Sequence, residues 1–197
     1  THTLSAGPGG YTRAHGLEPD ILTVGKAIGG GVPAAVWGFT AELAVRIDEA
    51  QAAIGPGYSG IGTTLSGNAL ALAAMRVMLE EVMSQDAYAR MLAGAERLVA
   101  GLAAMIARRR LAWSAVQAGA RVELVFADPP PSDAAGMRKA LDHDLLAAFH
   151  LWLINRRVLI APFHNMMLVS PVTEDSQIDR LVEAADGFAA ALQGDAA

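Results

Sequence analysis

PDILTVGKAIGGGVPAAVWGF (Pro19–Phe39) sets two short apolar runs around a glycine-rich loop that carries a lysine. DILTV follows a proline and is partly β-branched, which predicts a buried strand. AAVWGF (Ala34–Phe39) predicts a second. Gly25 to Gly31 is the loop between them. It holds Lys26, and the chain has only one other lysine, Lys139, among fifteen basic residues. A lysine head is costly to bury, and burial depresses its pKa. An amine able to lose its proton can attack a carbonyl and form a Schiff base, whereas arginine stays protonated. The glycines allow close backbone approach to a ligand and positive-φ turns. A lysine snorkelling from a strand end fits the same residues. GKAIGGG matches neither G-x-x-x-x-G-K-[ST] nor G-x-G-x-x-G, so a nucleotide cradle is disfavoured.

Downstream, GTTLSGNALALAAM (Gly62–Met75) places Gly, two Thr, Ser and Asn ahead of a strongly apolar helix. Such a start offers backbone N–H groups and hydroxyls to an anion, a phosphate being the natural one. Ordinary capping by Ser66 or Asn68 is the structural alternative.

Between the two stretches, Thr40 predicts an N-cap for a helix over Ala41–Glu49, and residues 51–62 read as an irregular glycine- and proline-containing loop. Helical spacing predicts helices over Leu70–Met83 and Asp86–Arg110. Arg108–Arg110 end the second, where cations suit the helix dipole; an anion site there is the alternative. RVELVFA (Arg121–Ala127) alternates as a strand, and DPPPSD reads as a turn. Leu141–Asn155 predicts a helix, VLIA (Val158–Ala161) and MMLVS (Met166–Ser170) predict strands, and Thr173 predicts the cap of a last helix. The class is α/β with an α+β C-terminal lobe.

The chain of 197 residues is 53% apolar and 18% charged, a globular composition with net charge −5 and no charge blocks. Nothing predicts a nucleic-acid or membrane partner. Without cysteine, disulfides and thiolate metal sites are excluded. No apolar run reaches a membrane span and no signal pattern is seen, so a cytoplasmic location is expected.

The two stretches together resemble the class III aminotransferases, fold-type I enzymes dependent on pyridoxal 5′-phosphate (PLP) that include glutamate-1-semialdehyde aminomutases and β-amino-acid transaminases. Asp20, Gly25, Lys26 and Gly29–Gly31 match the family's P-D-x-x-x-x-G-K-x-[IL]-G-G-G. Thr64, Leu65, Ser66, Gly67 and Asn68 match G-T-[LF]-[SG]-G-N-P, with Ala69 in place of the proline. The resemblance covers essentially all 197 residues but only the C-terminal half of a family member. It implies the C-terminal part of the PLP-binding large domain over residues 1–111 and the C-terminal small domain over 112–197.

The resemblance further implies that Lys26 is the Schiff-base lysine, forming the internal aldimine and then moving the proton between the substrate α-carbon and the cofactor. It implies that Thr64, with Thr63 as a further donor, binds the PLP phosphate of a neighbouring subunit in a homodimer whose active site lies at the interface. Thr1 would follow the family's D-E pair and lie against the cofactor ring. The Asp that pairs with the pyridinium nitrogen, the phosphate-binding glycine loop and the stacking aromatic would then lie upstream, in a longer enzyme or a separate chain or segment; Asp20 belongs to the turn before the lysine strand. The implied function is ping-pong amino transfer between an amino donor and an oxo acceptor. An aminomutase of the glutamate-1-semialdehyde type is the alternative, and a truncated non-catalytic homologue with a structural or regulatory role is the alternative of a different class.

The remaining candidates stand apart from that site. His2, His15, His143, His150 and His164 show no metal-ligand spacing, although His143 and His150 lie seven apart on one predicted helix face; no metal is expected. His2 is a candidate for lining the cofactor end. Arg13, near Tyr11 in a glycine-rich loop, reads as a surface charge with a substrate carboxylate as the alternative. Trp37, Trp113, Trp152, Met166 and Met167 read as packing residues.

Overall fold

The computed structural model describes residues 3–57, 60, 62 and 64–194. The chain divides into two compact units, one up to Gln85 and one from Asp86 onward.

In the first unit, a 3₁₀ turn (Thr3–Ala6) precedes the short helix α1 (Gly10–Ala14). The two predicted strands form, as β1 (Ile21–Val24) and β2 (Val36–Phe39), an antiparallel hairpin in which Ile21 faces Phe39 and Val24 faces Val36. The Asp20 carbonyl accepts from the Thr40 N–H at 3.0 Å and closes its open end. Asp20 thus belongs to the base of the hairpin. α2 (Ala41–Ile54) is five residues longer than the spacing suggests and is capped, as expected, by Thr40 Oγ1, which accepts from the Leu43 N–H at 3.4 Å. α3 (Ala69–Val77) runs into a π-helical turn, Met78–Val82, instead of continuing as one helix to Met83.

Few apolar side chains of this unit are buried: Ile28, Ala71 and Met75. Ile21, Leu22, Val36, Trp37 and Phe39 are all exposed, so the first strand, expected to be buried, and its partner are covered on neither face by the described residues, and Trp37 is not a core residue here. Two strands with this little cover are marginal as an independent sheet.

The second unit holds a continuous core. α4 (Gln85–Arg109) places Leu98, Leu102 and Met105 on one buried stripe at helical spacing. β3 (Ser114–Ala118), β4 (Arg121–Val125) and β5 (Met166–Leu168) form an antiparallel sheet in the order β3-β4-β5. α5 (Ala134–Ala140) starts at Asp133, α6 (His143–Ile154) at Asp142, and α7 (Asp175–Gln193) closes the chain. Val122 and Leu124 of β4, Phe149 and Leu153 of α6, and Ala185 and Phe188 of α7 meet the α4 stripe. Each fully buried Leu or Phe contributes about 1.5–3 kcal/mol. Phe149 and Phe188 lie 5.1 Å apart by centroid, and the Trp152 indole N–H donates to the Ala184 carbonyl at 2.8 Å, tying α6 to α7. Trp113 and Trp152 pack against this core, and Met167 is buried, as read from sequence.

Four details differ from the sequence expectation. β3 and α5 are additional elements. Residues 158–161 form no strand; they are tied to the loop after them by the Ala161 N–H on the Met166 carbonyl at 3.1 Å. Thr173 does not cap the last helix: its hydroxyl accepts from the Ser170 N–H at 2.9 Å, while Glu174 is the N-cap and donates its own N–H to Gln177 Oε1 at 2.9 Å. Arg108 and Arg109 grip Asp186 on α7, which makes them an interhelix tie in place of an anion site. α4 itself belongs to the second unit.

Candidate active site

Lys26 opens a 3₁₀ turn, Lys26–Gly29, directly after β1. Its φ is +48°, the left-handed region that a β-carbon disfavours by about 1–2 kcal/mol. Non-glycine residues held there are found disproportionately at functional sites, because surrounding structure must over-determine them. Here the surroundings are explicit. Gly25 before it and Ile28 and Gly29 after it are buried, and the turn packs against α3 and the π turn. Gly30 has φ +56°, and a β-carbon there would come within 2.8 Å of Met78 Sδ, so glycine both permits the turn and lets it seat on Met78. Gly29 approaches Ala34 so closely that an added β-carbon would sit 3.0 Å from Ala34 Cβ, drawing the two ends of the loop together.

The anchor is firm while the amine is open. Lys26 is exposed, and its side chain is not buried by the described residues. Any desolvation of the amine must come from groups other than the described residues.

The second stretch folds as a turn leading into α3. Thr64 and Leu65 are exposed. Asn68 is the N-cap: its Oδ1 accepts from the Ala71 N–H at 2.9 Å and its Nδ2 donates to the Leu65 carbonyl at 3.0 Å. Of the two capping candidates it is therefore Asn68 that serves, and the same side chain ties the cap back to the Thr64–Leu65 turn. Because the Lys26 turn packs on α3, the first unit brings the lysine-bearing and threonine-bearing segments onto one helix. Sequence order separates them by nearly forty residues; the signal that unites them is the pair Gly30 and Met78, which no local pattern reveals. Thr1, Thr63 and His2 lie outside the described residues. Arg13 is exposed, and Tyr11 stacks on His15 at 3.9 Å between centroids.

Among the described residues no group of three or more His, Asp or Glu is arranged to hold a metal ion, and no helix is long and apolar enough to cross a membrane. The donor set fits two handles of a PLP-type cofactor: a primary amine for an aldehyde, and a hydroxyl beside a helix start for a phosphate.

The family profile "Aminotransferase class-III" matches residues 8–184, and the chain belongs to that family. It is 33% identical over 177 residues to a protein of Brevibacillus brevis named glutamate-1-semialdehyde 2,1-aminomutase 2, covering 89% of this chain and 40% of that one. Its structure resembles a glutamate-1-semialdehyde aminomutase of Pseudomonas aeruginosa with TM-score 0.89 and 43% identity, over 95% of this chain and 42% of that chain. A variant of that aminomutase was solved in complex with PMP. It also resembles a β-phenylalanine aminotransferase of Variovorax paradoxus with TM-score 0.82 and 25% identity, over 98% of this chain and 43% of that chain. The fold is thus that of the fold-type I aminotransferases, and the cofactor indicated is pyridoxal 5′-phosphate. The chain spans about two fifths of the length of the curated relatives it matches.

Proposed function

We propose that these residues form the C-terminal part of a PLP-dependent aminotransferase in which Lys26 is the catalytic lysine. The observation that supports this reading best is the left-handed, glycine-flanked Lys26 turn seated on the helix that Thr64 precedes. On this reading Lys26 holds the cofactor through Nζ, and Thr64, with Thr63, meets its phosphate. The cofactor, when bound, supplies an electron sink for the carbanion at the substrate α-carbon. Lys26 Nζ, once released, is the base that takes the α-proton and returns it. Its exposure in this chain fits that double duty: the four-carbon stem is free to swing while the backbone beneath it is fixed. We further propose a homodimer in which the open Lys26 face and the uncovered β1–β2 hairpin are covered by the rest of the enzyme and its second copy. Residues 1–111 would then be the end of the large domain and 112–197 the small domain.

A second reading is favoured by the identities: the aminomutase of Pseudomonas aeruginosa is 43% identical against 25% for the aminotransferase of Variovorax paradoxus. An aminomutase would use Lys26 in the same role but exchange the amino group within one molecule.

The test is Lys26→Ala in the complete enzyme. The reading expects loss of turnover of about 10⁴-fold or more with the fold retained; unchanged turnover overturns it. Supplying a ¹⁵N-labelled amino donor with a separate oxo acid decides between the two activities. Label in the product of the oxo acid marks an aminotransferase; label kept within the rearranged donor marks an aminomutase.

A further inference from the structure

The second unit contains a cavity of about 350 Å³ between α6 and the loop that follows residue 161, and the proposed amino transfer makes no use of it. Its polar lining is three imidazoles: His143 and His150 from α6, and His164 from the loop. Leu141, Leu151 and Phe163 are among the apolar walls, and no Asp or Glu lines it. Sequence placed His143 and His150 on one helix face; His164 joins them only through the fold.

Three features mark this as a built site. First, His150 Nδ1 is shielded from solvent and has no hydrogen-bond partner among the described residues. Shielded polar nitrogens are almost always satisfied, and an unmade bond there is destabilising. Second, the loop that presents His164 is pinned. His164 and Asn165 are both left-handed, at φ +58° and +46°, and Asn165 is buried with its Nδ2 donating to the Leu124 carbonyl at 3.0 Å. Third, the lining itself carries no carboxylate. His143 is the first residue of α6, where the helix dipole favours negative charge, and Asp142 before it, which borders a smaller neighbouring pocket with His164, is turned to the Leu145 N–H at 2.9 Å as a cap.

A shared metal ion does not fit these histidines. Seven residues of helix separate His143 from His150 by about 10 Å of rise, whereas nitrogens on one zinc ion lie within about 4 Å of each other. The volume lies at the low end of the range for small-molecule sites. Imidazole donors in a lining without carboxylates favour an acid over an amine, and the walls favour an apolar body.

We propose that this cavity binds a small carboxylic acid with an aryl or branched aliphatic body. The carboxylate accepts from His150 Nδ1–H on the floor and from His164 at the mouth, and the body packs on Leu141, Leu151 and Phe163. Nothing in this proposal depends on Lys26 or on bound cofactor.

The experiment titrates 3-phenylpropionate into the complete enzyme labelled with ¹⁵N-histidine and follows the imidazole resonances. The expected result is saturable shifts at His143, His150 and His164 with none at His15. Phenethylamine should give none, and 3-phenyl-1-propanol should bind about tenfold more weakly, the loss of a charge-assisted hydrogen bond. His164→Asn keeps the left-handed backbone, which asparagine tolerates, and should weaken binding about tenfold with unchanged unfolding. His150→Gln should weaken it further. Absence of saturable shifts, equal binding of the alcohol, or unchanged affinity in both variants overturns the proposal.

Discussion

Gly101 lies in the middle of α4, where alanine would ordinarily be preferred by about 1 kcal/mol. A β-carbon at this position would sit 2.9 Å from Val182 Cγ2 and 3.4 Å from Cγ1 on α7. Valine is branched at Cβ and held to one rotamer in a helix, so it cannot swing aside. Gly101→Ala therefore gains about 1 kcal/mol of helix propensity and loses about 1–3 kcal/mol to overpacking, a net destabilisation of about 1 kcal/mol. Val182→Ala removes both methyl groups and should cost about 1–2 kcal/mol, because the side chain is only partly buried. In that background the clash is gone, and Gly101→Ala should become stabilising by up to about 1 kcal/mol. The coupling is thus about 2 kcal/mol, well above the few tenths expected of independent sites. The assay is urea unfolding of the four proteins, followed by Trp113 and Trp152 fluorescence in a Trp37→Phe background that silences the first unit. Additive effects, or a Gly101→Ala that stabilises with Val182 intact, would refute the close approach of α4 and α7.

Three further outcomes are expected. Phe149→Ala, at the fully buried centre of the aromatic cluster, should cost about 3–5 kcal/mol in the same unfolding assay, and a loss under 1 kcal/mol would contradict the packing. The Asp186 carboxyl is held below the ordinary carboxylate range chiefly by its hydrogen bond to Arg109, with Arg108 assisting and burial opposing. That stabilisation is present above the unfolded carboxyl's range near pH 4 and is lost as pH falls through the depressed folded value. Asp186→Asn should thus cost about 1–2 kcal/mol at pH 7, and a constant difference from pH 7 to acid would refute the assignment. Asn68→Ala should weaken the start of α3 by about 1 kcal/mol, seen as roughly fivefold faster amide exchange at Ala71; unchanged exchange would show that another group caps the helix.

What could be read from sequence follows the strength of the local signal. The β1–β2 hairpin was legible because β-branched runs flank a glycine loop and Thr40 stops the second strand. α4 was legible because its apolar stripe persists over seven turns. β3 was not: SAVQA is short and alanine-rich, and its strand character comes from pairing with β4 across Gly119. Residues 158–161 carry the composition of a strand but lack the ladder partner that would make them one. Thr173 carried the capping signal, but its hydroxyl is engaged with Ser170, a contact outside the helix, and Glu174 caps instead. At the candidate site, the identity of the segments was legible, and the exposure of Lys26 was not, since burial depends on what the fold sets against a strand end. The left-handed turn at Lys26 and its seat on Met78 are likewise tertiary, although three successive glycines signalled a chain that needs positive φ.

The central claim is that Lys26 is the residue joined to the cofactor. Borohydride reduction of the complete, PLP-loaded enzyme followed by peptide mass mapping reads this directly, because the reduced link survives digestion. The account predicts a phosphopyridoxyl group on the peptide that contains Lys26 and none on the peptide that contains Lys139. A label on any other lysine, or an unlabelled Lys26 in an enzyme that retains the visible cofactor band, would contradict it.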